Sequence, residues 1–411
     1  MPLRRRIKWT LFATQSFGSA GLLVASTVTP IVGAALSGKA GWAGVPAFFY
    51  WTGGALFALL WGRLMDLIGR RRTLVTGLVV GVVGASIAAA SVAAGSFGGL
   101  IGGLMLMGGA NTVVQLARFV AAEVHPQAER GRAISTVVLG GTVGGVLGPL
   151  LVTPASGIAE RFSVAGLAGP YAAAGLFFVL GAIVVSVLLR PDPRELARAL
   201  AEPNAHQAMP VAARRPLGEI LRDPGIRVAM LSMLLAQGVM SMLMVISSLH
   251  MKQHDHPLSS ISLVMSSHMI GMYGFSLVTG RLADRWGRGP LIAVGAVILI
   301  GAGLAATVSV AAWPMGGVLL FLGLGWNLCY VGGSTLLSDR LTQLERASVQ
   351  GLNDAMLTSA SAVGSLLSGV VFARMGYAAM GLVAAGIALV PLALGWRLPA
   401  TQLNPAPSGK T

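Results

Sequence analysis

The sequence predicts an all-α membrane protein with twelve transmembrane helices, arranged as two six-helix bundles that repeat in parallel. Three observations support this fold class: the composition, the number of long apolar segments and an internal repeat. Of the 411 residues, 55% are hydrophobic and only 10% are charged, whereas soluble globular domains carry roughly 25% charged residues. A chain with this composition is expected to have a lipid bilayer as its solvent.

Long apolar segments are numerous enough for twelve spans. A bilayer core of roughly 30 Å needs about 20 apolar residues in a helix, and the 56 glycines allow such helices to pack closely. The apolar segment that follows the basic N-terminus is too long for a signal peptide, so we predict that it is the first span. The predicted spans, numbered one to twelve, are 9–36, 44–62, 73–94, 99–123, 132–156, 168–189, 226–249, 258–280, 290–312, 315–338, 347–372 and 376–396.

The basic residues predict the orientation in the membrane. The net charge is +15, and the arginines lie in short loops, as the positive-inside rule describes, rather than in a nucleic-acid-binding patch. With the N-terminus in the cytoplasm, every basic residue outside the spans faces that side except four, which are Lys39, Arg161, Lys252 and Arg374. We predict a monomeric, multi-pass protein of a bacterial inner membrane, with both termini cytoplasmic and no nucleic-acid partner.

The predicted domains are an N-terminal six-helix bundle at 1–189, a cytoplasmic linker at 190–225, a C-terminal six-helix bundle at 226–398 and a tail at 399–411. The linker is polar, contains six prolines and has a short amphipathic segment at 194–200. The tail contains Pro, Ser and Gly, and we expect it to be disordered.

An internal repeat relates the two bundles. The segment 62–71, GRLMDLIGRR, recurs 218 residues later at 280–289 as GRLADRWGRG, and each copy follows the second span of its half. Further pairs keep the same order at offsets of 216 to 222 residues: Asn111 and Asn327, Glu123 and Asp339, Gln15 and Gln237. Such a duplication predicts two equivalent bundles with the substrate site between them, near the middle of the membrane.

The loop at 62–71 resembles the signature of the major facilitator superfamily, and the resemblance extends over residues 8 to 397. The second copy departs from the signature because it ends in Gly289-Pro290 and lacks one basic residue. The resemblance implies a secondary transporter that needs no cofactor. The sequence also has no nucleophile–base pattern or phosphate-binding loop, which argues against an enzyme and against an ATP-driven pump.

The resemblance also implies a gating latch on the cytoplasmic side. Asp66 would bind the N-terminus of span eleven and Asp284 that of span five, where a carboxylate gains roughly 0.3–1 kcal/mol. Arginines of the loops would pair with Glu123 and Asp339. Alternatively, these residues only set topology and turn shape. The predicted latch residues are Gly62, Asp66, Gly69, Arg70, Gly280, Asp284, Gly287, Arg288, Glu123 and Asp339.

Polar residues inside the spans are candidates for function, because charges in hydrocarbon are costly. Asn111, Gln115 and Arg118 are spaced i, i+4, i+7 and share one face of span four. Arg118 would bind an anionic or carbonyl-bearing substrate, or it would pair with Glu123. The predicted substrate-binding residues are Gln15, Asn111, Gln115, Arg118, Gln237, Trp326, Asn327 and Tyr330.

Two titratable residues within the spans, Asp354 and His268, are the predicted proton-coupling residues. The alternatives are that Asp354 pairs with Arg346 and that His268 is a packing residue. The outer segment 250–256, with three histidines and Asp255, contains residue types that bind metals. We interpret it as an exposed polar loop and predict no metal site.

Span five contains GGTVGGVLGP, in which Gly144, Gly148 and Pro149 resemble the span-five motif of drug/proton antiporters in the superfamily. We therefore expect efflux of a small organic molecule by proton antiport, although the glycines would also suit tight helix packing alone. Gln15 in span one stands where many multidrug exporters have an acid. The alternatives are an uptake permease, symporter or uniporter, for a small organic nutrient or anion, and a membrane sensor that does not transport.

Overall fold

The structure, a computed structural model, describes residues 3–126, 129–200 and 215–397. The predicted tail at 399–411 lies outside the described residues. Within them the chain is helical and contains no strand. Spans one to six comprise Leu3–Ser37, Val45–Ile68, Arg70–Ala93, Phe97–Glu123, Arg130–Leu150 with Val152–Arg161, and Gly169–Leu188. Spans seven to ten comprise Pro224–Gln253, then Leu258–Met269 with Ile270–Gly274 and Ser276–Trp286, then Arg288–Ala305 and Ala312–Asp339. Spans eleven and twelve lie in Gln343–Arg397, and two short helices, Pro193–Leu200 and Leu217–Ile220, belong to the linker.

The helices account for the twelve predicted spans. By length and composition, ten described helices could cross a membrane, and the bent span eight makes eleven. The last of the ten, Ser348–Arg397, has 50 residues, about 75 Å at 1.5 Å per residue, which is far longer than one crossing. It is broken at Gly376, whose φ of 77° and ψ of 177° are not helical. The break separates span eleven from span twelve where the sequence predicts it.

Two predicted spans are less regular than expected. Span five ends at Leu150 rather than 156, and the chain continues as a separate short helix from Val152. The reason is Pro154, which has no N–H to donate to the carbonyl of Leu150. Span eight, predicted as one helix at 258–280, contains a π-helical turn at Ile270–Gly274 and extends to Trp286.

The two halves share packed side chains at one face of the bundle. We call the face that carries the loops 62–71 and 280–289 the motif face, and the other the opposite face. At the opposite face, Ile31 and Ala43 of the first half belong to the hydrophobic core of the second half. Near the motif face, the described core around Ile226 contains residues of the second half and of the adjoining linker, and none of the first half. The halves are therefore joined at the opposite face.

Glycines make this junction close. A Cβ atom built on Gly44, at the start of span two, would overlap the carbonyl oxygen of Ser365 in span eleven. A Cβ built on Gly369 would lie 2.5 Å from the carbonyl oxygen of Gly41. Only glycine allows two backbones to approach this closely. A hydrogen bond from Ser266 of span eight to the carbonyl of Val146 in span five, at 2.9 Å, adds a second bridge between the halves.

We predict that Gly44→Ala opens the opposite face, because the added methyl group must push span two away from span eleven. A cysteine at Ser26, which lines the central cavity, would report the opening in a Cys329→Ala background. Its labelling by a membrane-impermeant maleimide, supplied from the opposite face, should become faster. Gly102→Ala is the matched control, since a Cβ there meets no atom within 4 Å. Equal labelling rates in the two variants would show that this contact does not close the face.

Candidate functional site

A cavity of about 220 Å³ lies between the two halves. Its walls come from spans one, two and four of the first half and from spans seven, eight and ten of the second. The first half contributes Leu22, Leu23, Ala25, Ser26, Thr29, Pro30, Ala47, Tyr50, Trp51, Leu104 and Met107. The second half contributes Gln237, Met240, Ser241, Met244, Val245, Met265, Met269, Met272, Tyr273 and Trp326. Transporters that are built from two parallel repeats bind their substrate between the repeats.

The lining of this cavity is apolar, aromatic and rich in sulfur. Six of the lining residues are methionines and four are Tyr or Trp, while the polar groups are hydroxyls and one amide. None of the lining residues, within the part of the chain that the structure describes, carries a charge. The hydroxyl of Tyr50 is buried and has no hydrogen-bond partner among the described groups. The cavity therefore suits an apolar or aromatic ligand with few polar groups.

Gln237 anchors one wall of the cavity. Its Oε1 accepts a hydrogen bond from Nε1 of Trp326 at 2.7 Å, and its Nε2 donates to Oγ of Ser361 at 2.7 Å. The Trp326 ring also stacks on Tyr330, with centroids 4.9 Å apart. These contacts join spans seven, ten and eleven and hold the indole in one orientation. Gln237 and Trp326 line the cavity as expected, whereas Tyr330 supports Trp326 from behind.

Gln15 occupies the matching place in the first half but has different surroundings. Its side chain is buried, and its Oε1 has no hydrogen-bond partner among the described residues. It lies against span five, where a Cβ built on Gly141 would be 3.2 Å from its Nε2. Gln15 is not among the residues that line the cavity. The internal repeat has therefore placed the same residue type in two different local structures.

Arg118 and Asp354 form an ion pair across the two halves. Nη2 of Arg118 lies 3.6 Å from Oδ2 of Asp354, and their side chains are 29% and 50% exposed. The guanidinium also lies over the ring of Phe119, 4.9 Å from its centroid. Neither alternative partner applies, because Glu123 binds Arg70 and Arg346 donates to the carbonyl of Ser338. The sequence placed these residues in separate sites, substrate binding and proton coupling, and the structure brings them together.

The two arginine–carboxylate pairs expected in the latch are formed in the structure, while their role as a latch stays a prediction. Arg70 binds Glu123 through two hydrogen bonds of 2.9 and 3.0 Å, and Arg288 binds Asp339 at 2.9 Å. Gly69 and Gly287 have φ angles of 94° and 90°. This conformation requires glycine and lets span three and span nine start immediately after the loop.

The aspartates of the latch do not make the predicted contacts in this structure. Asp66 is 77% exposed and pairs with Arg70, four residues along the same loop. Asp284 is 75% exposed and pairs with Arg288 in the same way. The described residues show no contact between either carboxylate and the other half, and a Cβ on Gly62 or Gly280 would meet no atom within 4 Å. The reason is that the halves are packed together at the opposite face instead.

Two linker residues that the sequence analysis did not single out bond to the two halves. Asp192 accepts hydrogen bonds from the backbone N–H groups of Arg70 and Arg71 and so caps span three. Arg215 binds Glu345 near the start of span eleven at 2.8 Å. The Arg215 guanidinium lowers the pKa of the Glu345 carboxyl to about 2, so this pair stays ionised at physiological pH. The predicted segment at 194–200 is a helix, Pro193–Leu200.

Four predicted site residues lie away from the cavity, and two of them bond to neighbouring helices. Asn327 donates to the carbonyl of Met272 at 2.6 Å and to Oγ of Ser276, and so supports the bend in span eight. The buried ring of His268 bonds the carbonyl of Leu319 through Nδ1, while its Nε2 has no partner among the described groups. Asn111 and Gln115 are half-buried on span four. These four residues are not among those that line the cavity.

The span-five motif and the outer histidines also have local structural roles. Gly144 and Gly148 pack against the backbone of span one, where a Cβ on Gly148 would lie 2.8 Å from the carbonyl of Ala20. His250 stacks on Tyr377, with centroids 4.3 Å apart. Within the described ranges, no group of three or more His, Cys, Asp or Glu is arranged to hold a metal ion.

We predict that Gln237→Leu destabilises the protein by about 1–3 kcal/mol, because it leaves the buried N–H of Trp326 without an acceptor. The free energy of unfolding of the purified protein in a denaturing detergent measures this effect. Gln15→Leu is the matched control from the other half and should cost less, since the Gln15 amide oxygen has no partner to lose. An equal loss in both variants would contradict the assigned role of Gln237.

Comparisons with known proteins agree with this architecture. The family model described as Major Facilitator Superfamily matches residues 43–341 and 229–411. YddS of Bacillus subtilis, named an uncharacterized MFS-type transporter, is 31% identical over 385 residues, which cover 91% of this chain and 86% of YddS. RfnT of Brucella anthropi, named a riboflavin transporter, is 28% identical over 393 residues, 93% of this chain and 94% of RfnT.

A solved structure shows the same fold. A bacterial homologue of the human lysosomal transporter Spinster, in an inward-facing and unoccupied conformation, superposes with a TM-score of 0.73 at 14% identity. The superposition covers 96% of this chain and 97% of that one. The cavity between two six-helix halves, the repeated loops and these relatives lead to one conclusion: the chain is a membrane transporter, not an enzyme, and belongs to the major facilitator superfamily.

Proposed function

We propose that this protein is a secondary active transporter that carries a small organic molecule with an apolar, aromatic part across a bacterial inner membrane. The observation that supports this proposal is the uncharged cavity between two halves whose close backbone packing lies at the opposite face. We assign the motif face to the cytoplasm, because the basic loops lie there. In this assignment, the described conformation is closed toward the outside. Alternating access then requires the contacts at Gly44 to break and the latch aspartates to engage.

The shape and chemistry of the lining favour a planar substrate. Tyr50, Trp51, Tyr273 and Trp326 offer ring faces and edges, and methionine side chains adapt to flat surfaces and make favourable contacts with aromatic rings. The free Tyr50 hydroxyl can bond a carbonyl or ring nitrogen. Because the relative RfnT is named a riboflavin transporter, riboflavin is the first compound to test. A thermal-shift series with riboflavin and planar drugs should show stabilisation, since a bound ligand raises apparent stability by mass action.

We assign proton coupling to the ion pair between Arg118 and Asp354. The pair links the two halves, so protonation of Asp354 removes one attraction between them. A pair this exposed contributes about 0–1 kcal/mol. That is too little to lock a conformation, but it is enough to change the ratio of two conformations about fivefold. The proposed direction is efflux by proton antiport, which rests on the span-five motif; uptake is the alternative that the transport assay distinguishes.

We expect Asp354→Asn to uncouple transport from the pH gradient while exchange of labelled substrate continues, because the amide keeps the shape and loses the titration. Riboflavin flux in proteoliposomes, with and without an imposed gradient, measures both properties and the direction. Asp255→Asn in the exposed outer segment is the control and should retain gradient-driven flux. An unchanged response to the gradient in Asp354→Asn would remove Asp354 as the proton carrier.

Asp66→Ala should slow the transport cycle up to about fivefold without loss of folding, because a carboxylate at a helix N-terminus gains roughly 0.3–1 kcal/mol. The Asp66 side chain is exposed in the described conformation, so its removal costs little stability there. It is instead needed when the motif face closes, which is where a carboxylate at a helix N-terminus gains its energy. Initial rates of flux test whether the cycle is slower, and the melting temperature tests whether folding is unchanged. Normal flux in the variant would refute the latch.

A further inference from the structure

Methionine sulfur is concentrated in the central cavity. Six of its 21 lining residues are methionines, against 18 of 411 in the whole chain. Met240 and Met244 are four residues apart in span seven, and Met265, Met269 and Met272 are spaced i, i+4, i+7 in span eight. Each set therefore occupies one face of its helix. Two rows of thioether groups from neighbouring spans line the same cavity.

Thioethers differ from other apolar groups in one chemical property. They are soft ligands that favour Cu(I) and similar ions over Mg²⁺, Ca²⁺ and other hard cations. They need no deprotonation to bind, so their affinity does not depend on pH as that of His or Cys does. Leucine would fill the same volume without this property. The rows of sulfur atoms therefore offer ligands for a soft metal ion, which a lining of hydrocarbon groups alone lacks.

The surroundings suit an ion of low charge. No lining residue in the described part of the chain is charged, so a divalent ion would find no carboxylate to balance it. A monovalent ion needs less negative charge around it, and the ring faces of Tyr273 and Trp326 can supply part of that charge. The sulfur of Met269 also lies at the junction of the halves, 3.7 Å from a Cβ built on Gly145 of span five. If the halves separated, span five would move away from Met269, and a bound ion would lose that side of its site.

We infer that the central cavity binds a soft monovalent metal ion, Cu(I) or its analogue Ag(I), through the thioethers of spans seven and eight. The inference goes beyond the proposed function, because it assigns the cavity a second class of ligand, as cargo rather than as a resident cofactor. The competing explanation is that the methionines only provide an adaptable apolar lining for an organic substrate.

The test uses Ag(I), which does not change oxidation state, and the purified full chain in a Cys329→Ala background, which removes the single cysteine. Equilibrium dialysis with metal analysis gives affinity and stoichiometry. Met265→Leu/Met269→Leu keeps the size and apolar character of the wall and removes two sulfur atoms, so affinity should fall about ten- to a hundredfold. Met230→Leu/Met233→Leu is the matched control, because these methionines belong to the core near the motif face; it should bind as the parent does.

Oxidation of the unsubstituted protein gives an independent measurement. Hydrogen peroxide converts accessible methionine to its sulfoxide, and bound Ag(I) should protect Met240, Met244, Met265, Met269 and Met272 in peptide mass spectra. Equal Ag(I) affinity in the two double variants, or no protection of the cavity methionines, would overturn the inference. Riboflavin binding to Met265→Leu/Met269→Leu separates the two hypotheses. If the variant binds riboflavin and not Ag(I), both stand; if the parent binds Ag(I) and no organic compound, only the proposed organic substrate fails.

Discussion

The close contact between the start of span two and span eleven determines which way the central cavity faces. At Gly44 and Gly369 two backbones meet with no side chain between them, and this is possible only because glycine has no Cβ. The contact holds the halves together at the opposite face. Each half is a packed bundle, so a junction at one face leaves the halves apart at the other. The exposure of Asp66 and Asp284 follows from this geometry, because the halves are apart at the motif face in the described conformation.

In the proposed function, binding and coupling use different parts of the protein. The cavity lining is uncharged, and the bonds of Gln237 to Trp326 and Ser361 lie within the second half. The charges that bridge the halves, Arg118 and Asp354, lie outside the lining. A ligand without charge can therefore enter without disturbing the ion pair, and a proton can bind Asp354 without contacting the ligand. Under this proposal both events act on one equilibrium, the relative position of the halves, which is sufficient for coupling.

Features that depend on local sequence could be predicted, and features that depend on contact between the halves could not. The spans, the break at Gly376 and the pairs of Arg70 with Glu123 and Arg288 with Asp339 follow from hydropathy, glycine and a repeated motif. The pair of Arg118 with Asp354 joins two segments that no repeat relates. Asn327 was misplaced because its helix face was assigned without knowledge of the π-helical turn it supports. The methionine rows were visible as i, i+4 spacing, but thioethers resemble ordinary apolar residues in any hydropathy pattern.

Distances across the two faces test alternating access most directly. Spin labels at 63 and 281 report on the motif face, and labels at 39 and 252 report on the opposite face; each pair joins the first half to the second. All four positions are exposed. Alternating access predicts that a pH change through the titration of Asp354, or a ligand that fills the cavity, changes the two distances in opposite directions, one shortening as the other lengthens. Two distances that change in the same direction, or that never change, would contradict it.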